Sequence, residues 1–300
     1  MYHIAIITTA FGNGLPDREQ TYAALANELG LHVWYCTKEE LLANPKGIEG
    51  VIVGVEKADA QLFACPDLKV AMKFGVGLDN FDLDSAMKAN VQVVNMPGIN
   101  SDAVAEMTMT LMLSVSRLIL PMANHLSEGR FVQICSHTLQ HKKLGIIGMG
   151  TIGQKVAKVA NAFGMECLGY DVRQLEVEGV TMVSLDTLFA QSDVITVHIP
   201  LMPQTHHLIG KDAFARMKPN VILINTSRGG VVDDDMLYQK LRDGQVMGAG
   251  LDVFENEEIR SKLAALDNVI CTPHIAAYTH ETLRFMEDTA LKKIKTCLAG

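Results

Sequence analysis

Residues 143–153 read Lys143-Leu-Gly-Ile-Ile-Gly148-Met-Gly150-Thr-Ile-Gly153, a short apolar run that leads into three spaced glycines. The run predicts a buried strand, and residues 154–163 after the glycines have a helical pattern. Gly148 would permit a tight turn, Gly150 would let a ligand approach the backbone, and Gly153 would let helix and strand pack closely. This order of elements is typical of a dinucleotide-binding α/β fold.

Asp171 stands at the end of the next predicted strand, residues 166–170, about 20 residues beyond the turn. A carboxylate there would accept the ribose hydroxyls of NAD and repel the 2′-phosphate of NADP. Thr151 and Ile152 open the helix, whose N-terminus would face the pyrophosphate. The sequence therefore predicts an NAD site, although Arg173 leaves some room for NADP. The alternative is a glycine turn that only joins packed elements.

Short runs rich in valine and isoleucine recur on both sides of this stretch and are typical of buried parallel strands. The runs before it are residues 4–8, 51–55, 69–74 and 91–95. Those in and after it are residues 144–147, 167–170, 194–198, 221–225, 248–253 and 269–272. Because helical segments lie between them, they predict an α/β protein with two doubly wound parallel-sheet domains, one a Rossmann domain and one flavodoxin-like.

A long apolar helix is predicted between the two series, from Ser101 or Asp102 to a point before Gly129. Residues 279–298 predict an amphipathic helix that could return to the first sheet. We therefore expect a discontinuous first domain, residues 1–96 with 276–300, and a second domain, residues 97–275. The long helix has more large apolar residues than one packed face needs, so we also expect a homodimer.

The composition narrows the classes of partner. A formal net charge of −8 over 300 residues does not favour binding to nucleic acid or to a membrane surface. The six cysteines contain no CxxC pair, and the chain does not start with the leader of an exported protein, so we expect a cytoplasmic protein. The most apolar segment, residues 107–122, is interrupted by Ser114, Ser116 and Arg117 and is too short for a membrane span.

Polar side chains follow several of the predicted strands in the second series. Arg228 comes after residues 221–225, at the carboxyl edge where parallel sheets bind ligands, and a guanidinium can hold a carboxylate through two hydrogen bonds. The alternative for Arg228 is a surface side chain paired with residues 233–235. His274 follows a later strand, and Glu257 lies in an acidic turn. A carboxylate beside an imidazole suits proton exchange near neutral pH.

Five other histidines look like exposed loop or helix residues and carry no assignment: His137, His141, His206, His207 and His280. No HExxH or HxH pattern occurs, and no cysteine and histidine pair stands at ligand spacing. His206 and His207 are adjacent, so they cannot share one helix face. The sequence therefore predicts no metal.

Seven motifs, in order along residues 68–282, resemble those of the D-isomer-specific 2-hydroxyacid dehydrogenase family. One is the glycine turn, and the others are Gly75-Val-Gly-Leu-Asp-Asn-Phe-Asp82, Asn95-Met-Pro-Gly-Ile-Asn-Ser-Asp-Ala-Val-Ala-Glu106, Ser192-Asp-Val-Ile-Thr-Val-His-Ile-Pro200-Leu, Asn225-Thr-Ser-Arg228-Gly, Leu251-Asp-Val-Phe-Glu-Asn-Glu257 and Thr272-Pro-His274-Ile-Ala. The resemblance implies an NAD-dependent oxidoreductase that interconverts a D-2-hydroxy acid and its 2-keto acid. It also implies that the first domain binds the substrate and the second binds NAD.

The resemblance implies a catalytic set of Arg228, Glu257 and His274. In it His274 is the acid or base, Glu257 holds it, and Arg228 binds the substrate. The backbone at Val76 and Gly77 would hold the substrate carboxylate. The remaining implied contacts are Asn100 with the substrate, Thr226 and Asp252 with the nicotinamide, and His198, Pro200 and Thr205 with the adenosine and phosphates.

The chain departs from the family pattern at several points. Glu258 replaces the proline that usually follows the catalytic glutamate, and Ala277 occupies a glycine-like position after the catalytic histidine. Residues 127–141 and 172–184 are short for the family. Residues 1–60 match it only by their strand and helix rhythm, so the substrate side is the least supported.

Two other functions fit the same scaffold. One is an NAD-sensing binding protein of the corepressor type, and the other is a different NAD enzyme such as a formate or phosphite dehydrogenase. The 2-hydroxy acid itself stays open. A phosphorylated substrate would need basic residues near Val76 and Asn100, where Lys57, Lys69 and Lys73 are candidates.

Overall fold

The structure, a computed structural model, describes residues 1–12 and 18–300. The chain divides into two compact units, one of Met1–Asn100 with Tyr278–Gly300 and the other of Ser101–Ala277. The sequence predicted borders after residues 96 and 275, and these domain limits stay a prediction. Both units are parallel-sheet α/β structures, which confirms the predicted fold class.

The first unit contains a five-stranded sheet in the order β2-β1-β3-β4-β5, and every neighbouring pair is parallel. Its strands are β1 (Tyr2–Ile6), β2 (Leu31–Tyr35), β3 (Gly50–Val53), β4 (Val70–Lys73) and β5 (Gln92–Val94). This is the strand order of flavodoxin-like sheets.

The second unit contains a seven-stranded parallel sheet in the order β12-β11-β10-β9-β6-β7-β8. Its strands are β6 (Lys143–Ile147), β7 (Glu166–Tyr170), β8 (Val180–Met182), β9 (Val194–Val197), β10 (Val221–Asn225), β11 (Val246–Leu251) and β12 (Val269–Cys271). Counted from β6, the order is that of a Rossmann sheet with one further strand. The strand order reverses between β6 and β9, and ligands of such sheets bind at this switch point.

Helices connect the strands of both units. Those of the first unit include α1 (Arg18–Glu28), α2 (Lys38–Ala43), α3 (Ala60–Phe63) and α4 (Leu83–Lys88). Those of the second are α5 (Ser101–Ser116), α6 (Ile119–Ser127), α7 (Thr151–Ala162), α8 (Leu185–Gln191), α9 (Lys211–Arg216), α10 (Asp234–Arg242) and α11 (Glu257–Ala264). The last helix, α12 (His280–Ala299), belongs to the first unit.

Helix α12 packs its apolar face on the sheet of the first unit. Met286, Leu291 and Ile294 are buried in one core with side chains of the sheet. A Cβ at Gly50 would lie 2.8 Å from Ile294 Cδ1, so the glycine at the start of β3 admits the helix. Glu287 is buried beside them and accepts the Tyr22 hydroxyl, which ties α12 to α1.

Helix α5 packs equally closely on the sheet of the second unit. A Cβ at Gly248 would lie 2.7 Å from Val115, and one at Gly250 would lie 2.8 Å from Leu111. The two glycines in β11 thus allow α5 to pack closely against the strand. Most of the residues of α5 are buried, and Met112 lies in a core that also holds strands β6 and β10.

The long helix predicted up to Gly129 is two helices, and this expectation was wrong. Leu118 lies between α5 and α6 with φ 51, a left-handed conformation that ends the first helix. The axes of the two helices differ by 63°. Among the described residues, no single helix is long and apolar enough to cross a membrane, and this bent pair meets the criterion by length and composition only.

Two strands were absent from the prediction, β2 and β8. Each lies at an edge of its sheet, and apart from the buried Leu31 at the start of β2 neither has a buried side chain. An edge strand has one partner and one exposed side, so it lacks the continuous apolar run that marks a central parallel strand.

Candidate active site

The glycine turn has the geometry of a nucleotide cradle. Gly148 has φ 97, and a Cβ there would lie 2.5 Å from the His198 carbonyl oxygen. A Cβ at Gly153 would lie 2.1 Å from the Gly148 carbonyl oxygen, so both glycines are required by close backbone contacts. At Gly150 no described atom lies within 4 Å of the Cβ position. This open space lies at Gly150, the glycine where a pyrophosphate would approach the backbone.

This turn lies at the switch point of the sheet, because Gly148 directly follows β6 and His198 directly follows the neighbouring β9. The His198 backbone N–H donates to the Ile147 carbonyl oxygen at 2.8 Å. Gly150 is the N-cap of α7, and its cap has no side-chain hydrogen bond. The first N–H groups of α7, at Thr151 and Ile152, have no carbonyl partner within the helix and can bind an anion.

Asp171 lies beside the glycine turn, and both of its carboxylate oxygens accept hydrogen bonds. Its Oδ2 accepts the Met149 backbone N–H at 2.9 Å, which connects it to the glycine turn. Its Oδ1 accepts both the backbone N–H and Nε of Arg173 at 2.9 Å, and Arg173 Nη2 donates to Oδ2 at 3.1 Å. The hydrogen bonds from the Arg173 side chain lower the pKa of Asp171 to about 2. The carboxylate is therefore ionised and shielded by the guanidinium.

A depression of about 680 Å³ opens beside this pair. Its walls include Tyr170, Asp171, Arg173 and Met182. It is large enough for part of a nucleoside. Both Arg173 and Asp171 line this depression.

His198, Pro200 and Thr205 lie in one loop after β9. Thr205 Oγ1 donates to the Pro200 carbonyl oxygen at 2.7 Å and accepts the Met202 backbone N–H at 2.8 Å. The Thr205 hydroxyl thus closes the turn. His198 Nε2 lies 3.0 Å from Thr196 Oγ1, and burial lowers the pKa of His198 to about 3. The imidazole is neutral at physiological pH.

The loop after β10 carries Arg228 and is held by Asn225. Asn225 Oδ1 accepts the backbone N–H and hydroxyl of Ser227 at 3.0 and 2.8 Å. Asn225 Nδ2 donates to the Arg228 carbonyl oxygen at 3.0 Å, and Arg228 Nη1 donates to the Ser227 carbonyl oxygen at 2.7 Å. Thr226 is buried, with its hydroxyl 2.9 Å from that of Thr108.

Two of the aspartates proposed as alternative partners of Arg228 accept backbone N–H groups. Asp233 caps α10 by accepting the Met236 backbone N–H at 2.9 Å. Asp234 Oδ2 accepts the Glu255 backbone N–H at 2.9 Å. The Arg228 loop instead approaches the loop after β11, because a Cβ at Gly229 would lie 2.0 Å from the Phe254 carbonyl oxygen.

Asp252 is fully buried at the end of β11 and holds the loop that carries His274. Its Oδ1 accepts the Thr272 hydroxyl at 2.5 Å and the Ile275 backbone N–H at 2.8 Å. Its Oδ2 accepts the Ala276 backbone N–H at 2.9 Å. The sequence assigned Asp252 to the nicotinamide. In the structure its carboxylate anchors the backbone around the exposed His274.

His274 has φ 57, in the left-handed region that few residues other than glycine adopt. Its backbone N–H donates to the carbonyl oxygens of Asp252 and Thr272 at 3.0 and 3.1 Å. Strained conformations of this kind cluster at functional sites. The surrounding hydrogen bonds fix the conformation and turn the imidazole outward.

In the structure Glu257 contacts an arginine of its own helix. Among the described residues, the ion pair of Glu257 is with Arg260, whose Nη2 lies 4.0 Å from Glu257 Oε1. The physical reason is that α11 begins at Glu257 behind the N-cap Asn256, which leaves the Glu257 side chain 90% exposed. The role of Glu257 stays a prediction.

The predicted substrate residues lie in the first unit, after β4 and β5. Asn95 Nδ2 donates to the Val76 carbonyl oxygen at 2.7 Å, which fixes the backbone next to Gly77. Gly75 has φ 138 and lets the chain turn into this segment. Asn100 Oδ1 is buried and has no hydrogen-bond partner among the described residues. An amide with an unsatisfied buried atom is consistent with a ligand-binding role.

Sequence reasoning missed the residues that support the site. Asn225 and Thr272 stand next to the predicted residues, and each holds a loop through its side chain. Asparagine at the end of a strand is the available signal, because its side chain commonly accepts the N–H two residues ahead.

Comparison with known proteins identifies the family. The model of the NAD-binding domain of D-isomer specific 2-hydroxyacid dehydrogenases matches residues 109–276. The chain is 40% identical over 288 residues to a hydroxypyruvate reductase of Thermotoga maritima, and this alignment covers 93% of this chain and 94% of that protein. It is 38% identical over 270 residues to a glyoxylate reductase of Thermococcus litoralis, and this alignment covers 85% of this chain and 82% of that protein.

The fold of a solved enzyme agrees with these matches. The structure of D-lactate dehydrogenase from Aquifex aeolicus, complexed with NAD and lactic acid, has a TM-score of 0.88 and 33% identity. The match covers 99% of this chain and 96% of that one. The chain therefore belongs to the D-isomer specific 2-hydroxyacid dehydrogenases and is an NAD-dependent enzyme of that family.

Proposed function

We propose that the enzyme reduces hydroxypyruvate and glyoxylate, two small 2-keto acids, to the corresponding 2-hydroxy acids with NADH. The names of the two relatives above support this substrate class. NADH, when bound at the glycine turn, supplies the hydride. The residues of this chain bind the keto acid and deliver the proton.

The observation that carries the proposal is the pair of anchored loops at the ends of three adjacent strands. Asn225 fixes the loop of Arg228 after β10, and Asp252 joins the end of β11 to the loop of His274 after β12. Arg228 would hold the substrate carboxylate through its two-pronged guanidinium and polarise the keto oxygen. His274 would donate a proton to that oxygen as it gains negative charge.

The backbone of Val76 and Gly77 and the amide of Asn100 would complete the binding of the acid. Their role rests on the family resemblance and on the unsatisfied Asn100 Oδ1. Glu257 would act as the carboxylate partner of His274 after its side chain rotates away from Arg260. An exposed ion pair is worth only about 0–1 kcal/mol, so this rotation costs little.

The basic residues near the predicted substrate segment favour an unphosphorylated acid. Lys69 Nζ pairs with Glu49 Oε1 at 2.8 Å. Lys73 Nζ donates to the Gly54 carbonyl oxygen at 2.5 Å and to Asn80 Oδ1 at 2.8 Å. Two of the three lysines that could bind a phosphate thus already have partners within the first unit. Phosphohydroxypyruvate is the substrate this arrangement disfavours.

The deciding experiment is a panel of 2-keto acids followed by NADH absorbance, with wild type and Arg228→Lys. We expect the highest kcat/KM with hydroxypyruvate or glyoxylate and lower values with pyruvate and phosphohydroxypyruvate. Arg228→Lys should lower kcat/KM, because an ammonium cannot present the same fork. No turnover with any acid while NADH still binds would favour the sensor alternative instead.

We also propose a homodimer that covers the exposed apolar side chains of α6 and the segment after it. Ile119 and Leu126 are 53% and 64% exposed, and Phe131 is 85% exposed. Such a patch on a globular protein indicates an interface. Light scattering should give twice the chain mass for wild type and the chain mass for Ile119→Glu/Leu126→Glu. A wild-type monomer at micromolar concentration would refute the dimer.

The six cysteines are all unpaired, as in a reducing compartment. We therefore propose a cytoplasmic location. Fractionation of the cells that make the protein would test it.

A further inference from the structure

We propose that His206, His207 and Glu255 form a binding site for one divalent transition-metal ion of the zinc class. The three side chains offer ligand atoms that all lie within 4.8 Å of one another. All three belong to the second unit, and none of them is in the proposed catalytic set. Neither histidine received an assignment from the sequence.

The backbone at His207 is what brings two adjacent histidines together. In a helix or a strand, neighbouring side chains point in different directions. His207 has φ 51, in the left-handed region, and this turn places both imidazoles on one side of the chain. Their ring centroids are 3.9 Å apart with an interplanar angle of 26°. The prediction that the pair could not share a face assumed regular structure, which this loop lacks.

The distances fit a small metal ion. His207 Nε2 lies 3.1 Å from Glu255 Oε2, and His206 Nε2 lies 3.6 Å from Glu255 Oε1. In a tetrahedral site with zinc–nitrogen bonds of about 2.1 Å, the ligand atoms are about 3.4 Å apart. The two distances from Glu255 to the imidazoles are therefore close to this spacing, and a change of imidazole rotamer would direct both nitrogens at one ion. Two imidazoles and a carboxylate are a recurrent zinc set, with water in the fourth position.

The charge around the cluster also favours a cation. Asp233 Oδ2 lies 4.0 Å from His207 Nδ1, on the far side of the ring from Glu255. At this distance the carboxylate adds negative potential next to the imidazole without a direct hydrogen bond. Asp234 is buried behind Glu255, and its Oδ1 has no hydrogen-bond partner among the described residues. Three carboxylates thus surround two histidines, and no lysine or arginine is paired with Glu255 in the part of the chain described.

The site would join loops that follow three neighbouring strands. His206 and His207 lie after β9, and Glu255 lies after β11. The loop after β10 is held between them, because the His207 backbone N–H donates to the Gly230 carbonyl oxygen at 2.7 Å. An ion bound here would cross-link the loops on both sides of Arg228-Gly229-Gly230. We therefore expect it to stabilise the second unit, since any ligand that binds only the folded state does so.

The test uses the full-length protein after EDTA treatment and measures Co²⁺ and Zn²⁺ binding by absorbance and calorimetry. We expect one high-affinity ion per chain, a d–d band for Co²⁺ without the charge-transfer band of a thiolate, and a higher Tm with Zn²⁺. His207→Asn tolerates a positive φ and so keeps the backbone turn. This variant and Glu255→Gln should each weaken binding at least tenfold while the Tm without metal stays near wild type.

A matched control is available in the first unit. His3 and His32 have ring centroids 4.9 Å apart, but the nearby carboxylate of Glu49 is paired with Lys69. His32→Ala should therefore leave the affinity unchanged. The proposal is overturned if wild type binds neither ion, if a thiolate band shows that a cysteine binds it, or if His207→Asn and Glu255→Gln bind as wild type does.

Discussion

The His274 backbone N–H donates to the Asp252 carbonyl oxygen at 3.0 Å, while the Asp252 carboxylate binds the backbone just beyond His274. The buried Asp252 thus binds the loop of the exposed imidazole through both its main-chain carbonyl and its side-chain carboxylate. These hydrogen bonds hold His274 at its strained positive φ. The relationship makes Asp252 a positioning residue for the proposed acid.

Replacement of Asp252 should therefore affect both stability and rate. In Asp252→Asn, the amide NH₂ would face a backbone N–H donor, so a buried hydrogen bond becomes a repulsion. We expect the free energy of unfolding to fall by roughly 2–5 kcal/mol and kcat to fall with it. Denaturant melts and steady-state kinetics measure the two effects. The exposed Asp267→Asn serves as the control, and an equal effect there would remove the positioning role.

For His274 the informative change is to asparagine, which tolerates the left-handed backbone. His274→Asn should lower kcat by roughly a hundred- to ten-thousandfold, the usual contribution of a general acid. NADH binding, followed by fluorescence titration, should stay near wild type, as should the Tm. His280→Asn, at the start of α12, is the control. Turnover that survives in His274→Asn would mean that another group supplies the proton.

The Asp171 and Arg173 pair predicts a switch in cofactor preference. Asp171→Ala should weaken NADH use and free Arg173 to bind a 2′-phosphate, which changes the ratio of kcat/KM values by roughly ten- to a hundredfold. The double variant Asp171→Ala/Arg173→Ala should lose the gain with NADPH. The measurement is kcat/KM for both cofactors in the three proteins. A ratio that stays constant would exclude Asp171 from ribose recognition.

The proposed role of Glu257 predicts an effect on the pH dependence of the reduction rate. A carboxylate next to an imidazole favours the protonated form, so Glu257→Gln should shift the alkaline limb of the reduction rate toward lower pH. Glu258→Gln, whose carboxylate pairs with Lys262 at 2.7 Å on the same helix, should leave the profile in place. Identical profiles for wild type and Glu257→Gln would show that the side chain remains in solvent during turnover.

Asp234 should make stability fall as pH rises. Burial raises its pKa from 3.8 to about 6, so the folded state binds more protons than the unfolded state between these values. The penalty is absent below about pH 3.8 and complete above about pH 6. Asp234→Asn removes it, so the Tm of the variant relative to wild type should be higher at pH 7.5 than at pH 4. Melts with EDTA test this, and a pH-independent difference would contradict it.

The sequence was sufficient for the central strands of both sheets and for the glycine turn. Central parallel strands are buried on both faces, so their apolar runs are unbroken and easily recognised. The glycines are forced by backbone contacts such as that of Gly148 with His198, which no other residue permits. Both features depend on local sequence, and both could therefore be predicted.

The remaining features depend on dihedral angles and rotamers that a pattern does not encode. The turn at Leu118 divides an apolar stretch that reads as one helix, and the turn at His207 reverses the expected direction of a side chain. The exposed position of Glu257 follows from where α11 begins, and helix ends are set by capping within one or two residues. Tertiary contacts decide these details.

The contact at Gly229 has a consequence for how this enzyme can change. Any side chain there would collide with the Phe254 backbone, so the two loops cannot be remodelled one at a time. A library that randomises the Arg228 loop alone would return mostly misfolded clones. New specificity at this position would have to arise through paired changes in both loops.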